Sequence, residues 1–299
     1  MTADSQLGRH RGRTTALAGP YGPIAALRVD AGRPNGVTVL LVPGYTGSKE
    51  DFVPLLDDLA DVGFTVLAID LPGQYQSPGP DQPEAYLPEA LGLLVAGLVR
   101  ELASDGSRVL LVGHSYGGLV ARAAVLAVAH PGDTPIAGLT LMASGPAKLP
   151  EGPRRIAIEL GEPVLRVQGT VAAYTVREQV SAGAPGWADV PAELKDFLRT
   201  RFVASSAAGL LGMAAGLRSE PDRVDELATA LDKADVPRLV VTGANDDAWS
   251  VPEQREMARR LGATFALVPG AAHSPNTENP AELLTVLKRT WLGWLSRLP

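Results

Sequence analysis

The 299-residue chain predicts an α/β fold on a mostly parallel, doubly wound sheet of about eight strands. Three observations carry that expectation. Short Val/Ile/Leu-rich runs alternate with amphipathic stretches, as when crossover helices join successive strands. The runs lack the apolar-polar alternation of half-exposed strands, so they suit strands covered on both faces. The rhythm breaks once, between residues 147 and about 225, where short helical pieces are punctuated by Pro150, Pro153, Pro163, Pro185 and Pro191.

Taken in order, residues 1–13 are polar and read as a flexible tail. They lack the apolar stretch of about 7–15 residues that a signal peptide needs. Residues 15–29, broken by Gly19-Pro20 and Gly22-Pro23, read as an antiparallel edge hairpin. Strands are expected at 37–42, 65–69, 109–112, 136–142, 238–242 and 264–268. Helices are expected between them at 52–62, 88–102, 119–129 and 252–261. Leu287, Trp291, Trp294, Leu295 and Leu298 fall at helical spacing and read as a core-facing stripe. No window reaches the roughly 18 apolar residues of a membrane span.

Composition narrows the chemistry. A net charge of −6, with no Lys/Arg cluster interleaved with aromatics, argues against nucleic acid as a partner. The chain has no cysteine, which excludes disulfides, thiolate catalysis and Cys-ligated zinc. No His pair has metal-ligand spacing and no glycine-rich nucleotide fingerprint is present, so neither metal nor cofactor is expected. Abundant Ala, Gly, Pro and Arg beside scarce Lys suggest a GC-rich bacterial genome, and the cytoplasm is the expected compartment. The sequence sets no oligomeric state.

The chemistry-bearing pattern is Gly113-His114-Ser115-Tyr116-Gly117, between the apolar run Val109-Leu110-Leu111-Val112 and Gly118-Leu119-Val120-Ala121. A G-x-S-x-G between strand and helix is the context of a nucleophile elbow. The sharp turn holds the serine in a strained conformation, and the flanking glycines remove Cβ atoms that would collide across it. The helix behind turns its free N–H groups and positive dipole end toward any oxyanion that forms.

A serine needs a base, at neutral pH usually histidine. Of the four histidines, His10 lies in the polar tail and His114 is expected to point away from its neighbour Ser115. His130, before Pro131 and Gly132, reads as a cation at a helix C-terminus. His273, in a small-residue loop after the run at 264–268, is the remaining candidate. The base in turn needs an acid to fix its tautomer. Asp246 and Asp247 both follow the strand at 238–242 and the turn Gly243-Ala244-Asn245. Asp246 is preferred by motif position; Asp247 has the alternative of capping the helix near Pro252 or bonding the loop backbone.

The order Ser115, Asp246, His273 resembles that of the α/β-hydrolase superfamily, and the likeness extends over nearly the whole chain. The stretch Val42-Pro43-Gly44-Tyr45-Thr46-Gly47-Ser48 is similar to the family's His-Gly-x-x-Gly-Ser segment, with Pro43 in place of the histidine. The turn Asp70-Leu71-Pro72-Gly73-Gln74-Tyr75-Gln76-Ser77 also matches, with Tyr75 in place of a second glycine. The loops Gly243-Ala244-Asn245-Asp246 and Gly270-Ala271-Ala272-His273-Ser274-Pro275 match as well. The resemblance implies an oxyanion hole made by the backbone N–H groups of Tyr45 and Tyr116. Their side chains are then free to line an acyl pocket or to pack.

In that family a helical lid follows the sixth strand, which implies a tail at 1–13, a core at 14–146 and 226–299, and a lid at 147–225. Residues 203–217, with Gly209, Gly212 and Gly216, offer either a pocket roof or a close-packing helix; Trp187, Phe202 and Met213 are candidate pocket residues. The implied activity is a serine hydrolase cleaving an ester-like bond of a small, largely apolar substrate through an acyl-enzyme. A serine at the elbow argues against the haloalkane dehalogenases and epoxide hydrolases, which use aspartate there. Carbon–carbon hydrolysis, thioester hydrolysis, perhydrolysis and acyl transfer remain open on the same residues, as does a hydrolase-like binding protein without turnover.

Overall fold

The sheet grows outward from β3 (Val37–Val42), which pairs in parallel with β4 (Thr65–Ile69) on one side and β5 (Arg108–His114) on the other. Beyond β5, the strands β6 (Ile136–Met142), β7 (Arg238–Gly243) and β8 (Thr264–Val268) continue in parallel. Beyond β4, β2 (Ile24–Val29) and the edge strand β1 (Arg13–Leu17) run antiparallel. The result is one eight-stranded sheet ordered β1-β2-β4-β3-β5-β6-β7-β8. The computed structural model describes residues 6–130, 132, 134–183 and 186–296. Residues 1–5, Pro131, Pro185 and Leu298, used in the sequence reading, lie outside that set.

Each central strand divides its apolar residues between two cores because successive side chains leave opposite faces. Leu40, Val42, Leu67, Ile69 and Leu111 enter the first core, whereas Val39, Leu41, Val66, Ala68 and Leu110 enter the second. The first is closed by α2 (Pro88–Leu102), α3 (Tyr116–Val128), α7 (Val224–Lys233) and α8 (Val251–Leu261). The second is closed by α1 (Val53–Asp61) and α10 (Pro280–Leu295). Continuous apolar runs are therefore required here; an alternating strand would put polar groups into one of the cores.

The ends of two elements differ from expectation. β5 continues through Gly113 and His114, which pair with Val42 and Met142. α3 starts at Tyr116 rather than 119, because the chain passes from strand to helix in the single residue Ser115. The terminal stripe does face the core: Leu287, Trp291 and Trp294 are buried, and the Trp294 ring fills the space where a side chain on Gly138 would stand. Within the tail, Gln6 donates to Asp51, Arg11 reaches Asp57 and Asp61, and Arg13 already begins β1.

Between β6 and α7 the chain forms α4 (Pro153–Ala182), the four-residue α9 (Pro275–Glu278) coming only much later, after β8. α4 is broken at Gly169, whose φ of 79° and ψ of −173° no helix contains. Then come α5 (Ala192–Ala204) and α6 (Ala207–Ser219). Leu165, Tyr174, Phe202 and Leu210 give this insert a small apolar cluster of its own. The glycines of α6 serve close packing: a Cβ at 212 would strike the Pro83 carbonyl, and one at 216 the Tyr116 ring. Among the described residues no helix is long and apolar enough to cross a membrane.

Trp291 is fully buried, meets Phe64 edge-on at 5.8 Å and donates from Nε1 to Thr140 Oγ1 at 3.0 Å. Trp291→Ala should lower the unfolding free energy by about 3–5 kcal/mol, read by urea denaturation. A loss below about 1 kcal/mol would contradict this account of the second core.

Candidate active site

Four loops leave the carboxyl ends of neighbouring parallel strands and converge. They follow β3, β5, β7 and β8, with the first two flanking the point where strand order reverses. That edge is where α/β sheets open a crevice.

Ser115 occupies the turn between β5 and α3 at φ 54° and ψ −120°, a conformation rare for any residue with a side chain. The turn fits only because its neighbours are glycines. A Cβ on Gly113 would strike the Gly117 carbonyl, one on Gly117 the Val42 and Pro43 carbonyls, and one on Gly118 the Ser144 side chain. The fold thus wedges the start of α3 against the end of β3. Tyr116, as the first helical residue, keeps its N–H outside the helical hydrogen-bond ladder.

The loops after β7 and β8 are joined directly. Ala244 N–H donates to the Val268 carbonyl and Asn245 N–H to the Ala271 carbonyl, each at 3.0 Å. Gly243 passes so close to Ala271 and Ala272 that no Cβ would fit. This juncture brings Asp246 to His273, whose Nδ1–H donates to Asp246 Oδ1 at 2.9 Å. The opposite nitrogen, Nε2, accepts from Ser115 Oγ at 2.9 Å. The three side chains are buried and form one hydrogen-bonded chain. The carboxylate fixes the tautomer: with the proton on Nδ1, Nε2 is free to take the serine proton.

Asp246 is further held by Thr242 Oγ1 at 2.8 Å, Ala248 N–H at 2.9 Å and Gln254 Nε2 at 2.8 Å. Burial alone would push its pKa up; the hydrogen bonds, led by that from His273, outweigh burial and hold it below the usual carboxylate value. Asp247 points elsewhere. It is exposed and pairs with Arg154 of α4 at 2.7 Å, while Ser250 and not Asp247 caps α8.

The loop after β3 carries Tyr45. Gln74 Nε2 holds its Gly44 carbonyl at 2.8 Å, and Gly47 N–H closes a turn onto the same oxygen at 3.0 Å. Tyr75 sits at φ 38°, which explains why glycine suits that position; Ser205 Oγ anchors its N–H at 3.1 Å.

A cavity of about 730 Å³ opens beside Ser115 and His273, walled largely by apolar side chains of α4 and by Tyr45, Phe202, Leu217 and Trp249. Phe202 therefore lies where the sequence reading expects it. Trp187 and Met213 do not. Trp187 borders a separate space of about 40 Å³, under the cation of Lys195. Met213 is turned into the first core, its sulfur 3.8 Å from Gln74 Nε2. The two tyrosines divide as well: Tyr45 lines the cavity, whereas Tyr116 is packed away with its hydroxyl donating to the Tyr86 carbonyl at 2.6 Å.

The remaining histidines are accounted for differently. His130 is exposed and lies two residues past the end of α3. His114 is buried and donates from Nε2 to the His273 carbonyl at 2.8 Å, so it fastens the histidine loop to β5. No local sequence signal singles out His114 for that. Gln254 was also missed, although it had a signal: Gln254, Met257, Ala258 and Leu261 form the buried stripe of α8. A polar residue on such a stripe marks a buried polar network.

A sequence profile of the alpha/beta hydrolase family matches residues 39–286. The chain belongs to the alpha/beta hydrolase family. Its fold is that of many solved members. A thermophilic esterase from Thermogutta terrifontis, solved with malate bound, superimposes with a TM-score of 0.70 at 24% identity, covering 96% of this chain and 99% of that one. A structure from work on carboxylesterases of the thaumarchaeon Nitrososphaera gargenis gives 0.73 at 18% identity, covering 95% and 100%. The enol-lactonase of Burkholderia xenovorans LB400 gives 0.69 at 21% identity, covering 95% and 100%.

Burial, with the His273 imidazole next in weight, pushes the His114 pKa down from 6.5 to about 4. The folded chain then refuses a proton that the unfolded chain accepts between those values. His114 therefore adds stability that is complete above pH 6.5 and is lost as pH falls toward 4, by about 3 kcal/mol in all. Urea unfolding at both ends of this window should show the wild type losing about that much more than His114→Gln. Equal losses would contradict a neutral, buried His114.

Proposed function

We propose that the protein is a serine hydrolase cleaving an ester-like bond of a small, largely apolar substrate through an acyl-enzyme. One observation carries the reading: His273 is bonded at 2.9 Å to both Ser115 Oγ and Asp246, at the wall of an apolar cavity of about 730 Å³. Esterase and enol-lactonase activities among the structural neighbours agree with the bond class.

The geometry of the three side chains and the family resemblance together support the following roles. His273 Nε2 removes the Ser115 proton as Oγ attacks the carbonyl carbon, and the backbone N–H groups of Tyr45 and Tyr116 hold the oxyanion. Each such donor is worth about 100- to 1,000-fold in rate. His273 then gives the proton to the departing alcohol, leaving acyl-Ser115. Water, deprotonated by the same Nε2, attacks the acyl carbon; Ser115 leaves with the proton and the carboxylic acid is released. Asp246 stays ionised throughout and stabilises the imidazolium, which its depressed pKa favours. Nucleophile, base and counter-charge are all supplied by the chain.

Ser115→Ala should lower kcat for 4-nitrophenyl ester hydrolysis by at least about 10,000-fold with the circular dichroism spectrum unchanged. Retained turnover would remove Ser115 from the role. Asp246→Asn should cost about 10,000-fold, because an amide at that place favours the wrong histidine tautomer. Asp247→Asn, which breaks only an exposed ion pair, should stay within about fivefold of wild type. The reverse ranking would move the acid by one residue.

A further inference from the structure

The charged side chains lining the large cavity are Asp51, Arg154, Glu162, Arg177 and Arg201. All but one are committed to opposite charges. Asp51 pairs with Arg201, Glu162 with Arg218, and Arg154 with Asp247. Arg177 has no carboxylate partner among the described residues. Its one hydrogen bond within that set runs from Nη1 to Thr46 Oγ1 at 2.9 Å, and its guanidinium lies 5.5 Å from the centre of the Phe202 ring. Nε and Nη2 are left unused, on a side chain that is solvent-accessible and borders the cavity shared with Ser115 and His273.

The surroundings offer nothing to neutralise it. The nearest phenol at the cavity wall, Tyr45, has its pKa pushed up by burial to about 12, so it is uncharged at neutral pH. Exposed at the border of the cavity, the guanidinium keeps its hydration, and its unused donors present a free positive charge beside largely apolar walls. Arginine presents two parallel N–H donors that match a carboxylate in the plane, so such a ligand group gains both charge and directed hydrogen bonds.

We propose that Arg177 binds a free carboxylate on the substrate, so that the esters taken by this site are half-esters of dicarboxylic acids or esters of similar anionic character. The inference rests on the serine-hydrolase reading for the reaction and on the ion-pair inventory of the cavity for the substrate class. The apolar walls take the body of such a molecule, Arg177 takes its charge, and the carbonyl is left at Ser115. Arg177 rises from α4, in the inserted segment, so specificity and chemistry reside on different parts of the chain. Its bond to Thr46, the neighbour of Tyr45, invites a competing view in which Arg177 only straps α4 to the loop after β3.

Two nearly isosteric esters separate these views: 4-nitrophenyl hydrogen glutarate, which carries a carboxylate, and neutral 4-nitrophenyl pentanoate. The wild type should favour the glutarate ester in kcat/KM. Arg177→Gln should shrink that preference by about tenfold or more, mainly through KM. Thr46→Val, which removes the strap while sparing the guanidinium, should keep the preference. A wild type indifferent to the carboxylate, an unchanged ratio in Arg177→Gln, or an equal fall of the ratio in Thr46→Val would each overturn the proposal. If the wild type turns over neither ester, the hydrolase reading fails by itself, and calorimetry with glutarate decides the rest. Binding by the wild type that weakens about tenfold in Arg177→Gln upholds the carboxylate site; no binding, or binding that ignores the substitution, ends it.

Discussion

The close approach of the turn at residues 113–118 to the end of β3 is the constraint on which the rest of the site depends. Peptide carbonyls of Val42, Pro43 and Gly117 occupy the volume where Cβ atoms of residues 117 and 113 would otherwise lie. That contact forces the chain from strand to helix within one residue and leaves Ser115 at φ 54°. A conformation of this kind costs about 1–3 kcal/mol and persists only when its surroundings over-determine it. Here they do, since β5 is hydrogen-bonded on both sides and α3 is buried along nearly its whole length. The strain is held by the most buried part of the molecule, and the serine it exposes faces the crevice.

A second joint completes the site. The loop after β7 donates two backbone hydrogen bonds to carbonyls at the end of β8 and in the loop that follows, and Gly243 comes into near-contact with Ala271 and Ala272 beside Asp246 and His273. The electrostatics follow from burial. An isolated buried carboxylate would take up a proton, yet Asp246 stays ionised because four donors converge on it. His114 goes the opposite way, held neutral so that its one N–H ties the carbonyl of His273 without adding a positive charge beside it. Two buried titratable groups near one imidazole are thus driven to opposite states by the partners they have.

Much of this was legible in the chain. The sheet was readable because a strand covered on both faces admits only apolar residues, and that requirement leaves uninterrupted runs. The glycine pattern around Ser115 was readable because steric exclusion at a sharp turn leaves no other residue. The division between Asp246 and Asp247 was legible through motif position alone, since adjacent residues on a loop share their other local signals and differ in which points inward. Pocket residues were the least legible. Trp187, Phe202 and Met213 are large and apolar, and those properties fit a core as well as a cavity. Arg177 carried no local mark at all, because its meaning lies in the ion pairs that its neighbours form with other residues and it does not.

Whether Ser115 is an activated nucleophile is decided by covalent labelling with a fluorophosphonate followed by intact and peptide mass spectrometry. A cavity of about 730 Å³ opens beside Ser115. An activated serine gives one adduct per chain, located on Ser115 and lost in His273→Ala, since without its base the hydroxyl is an ordinary alcohol. An adduct on another serine, labelling that survives the loss of His273, or a folded protein that takes up no probe would contradict it.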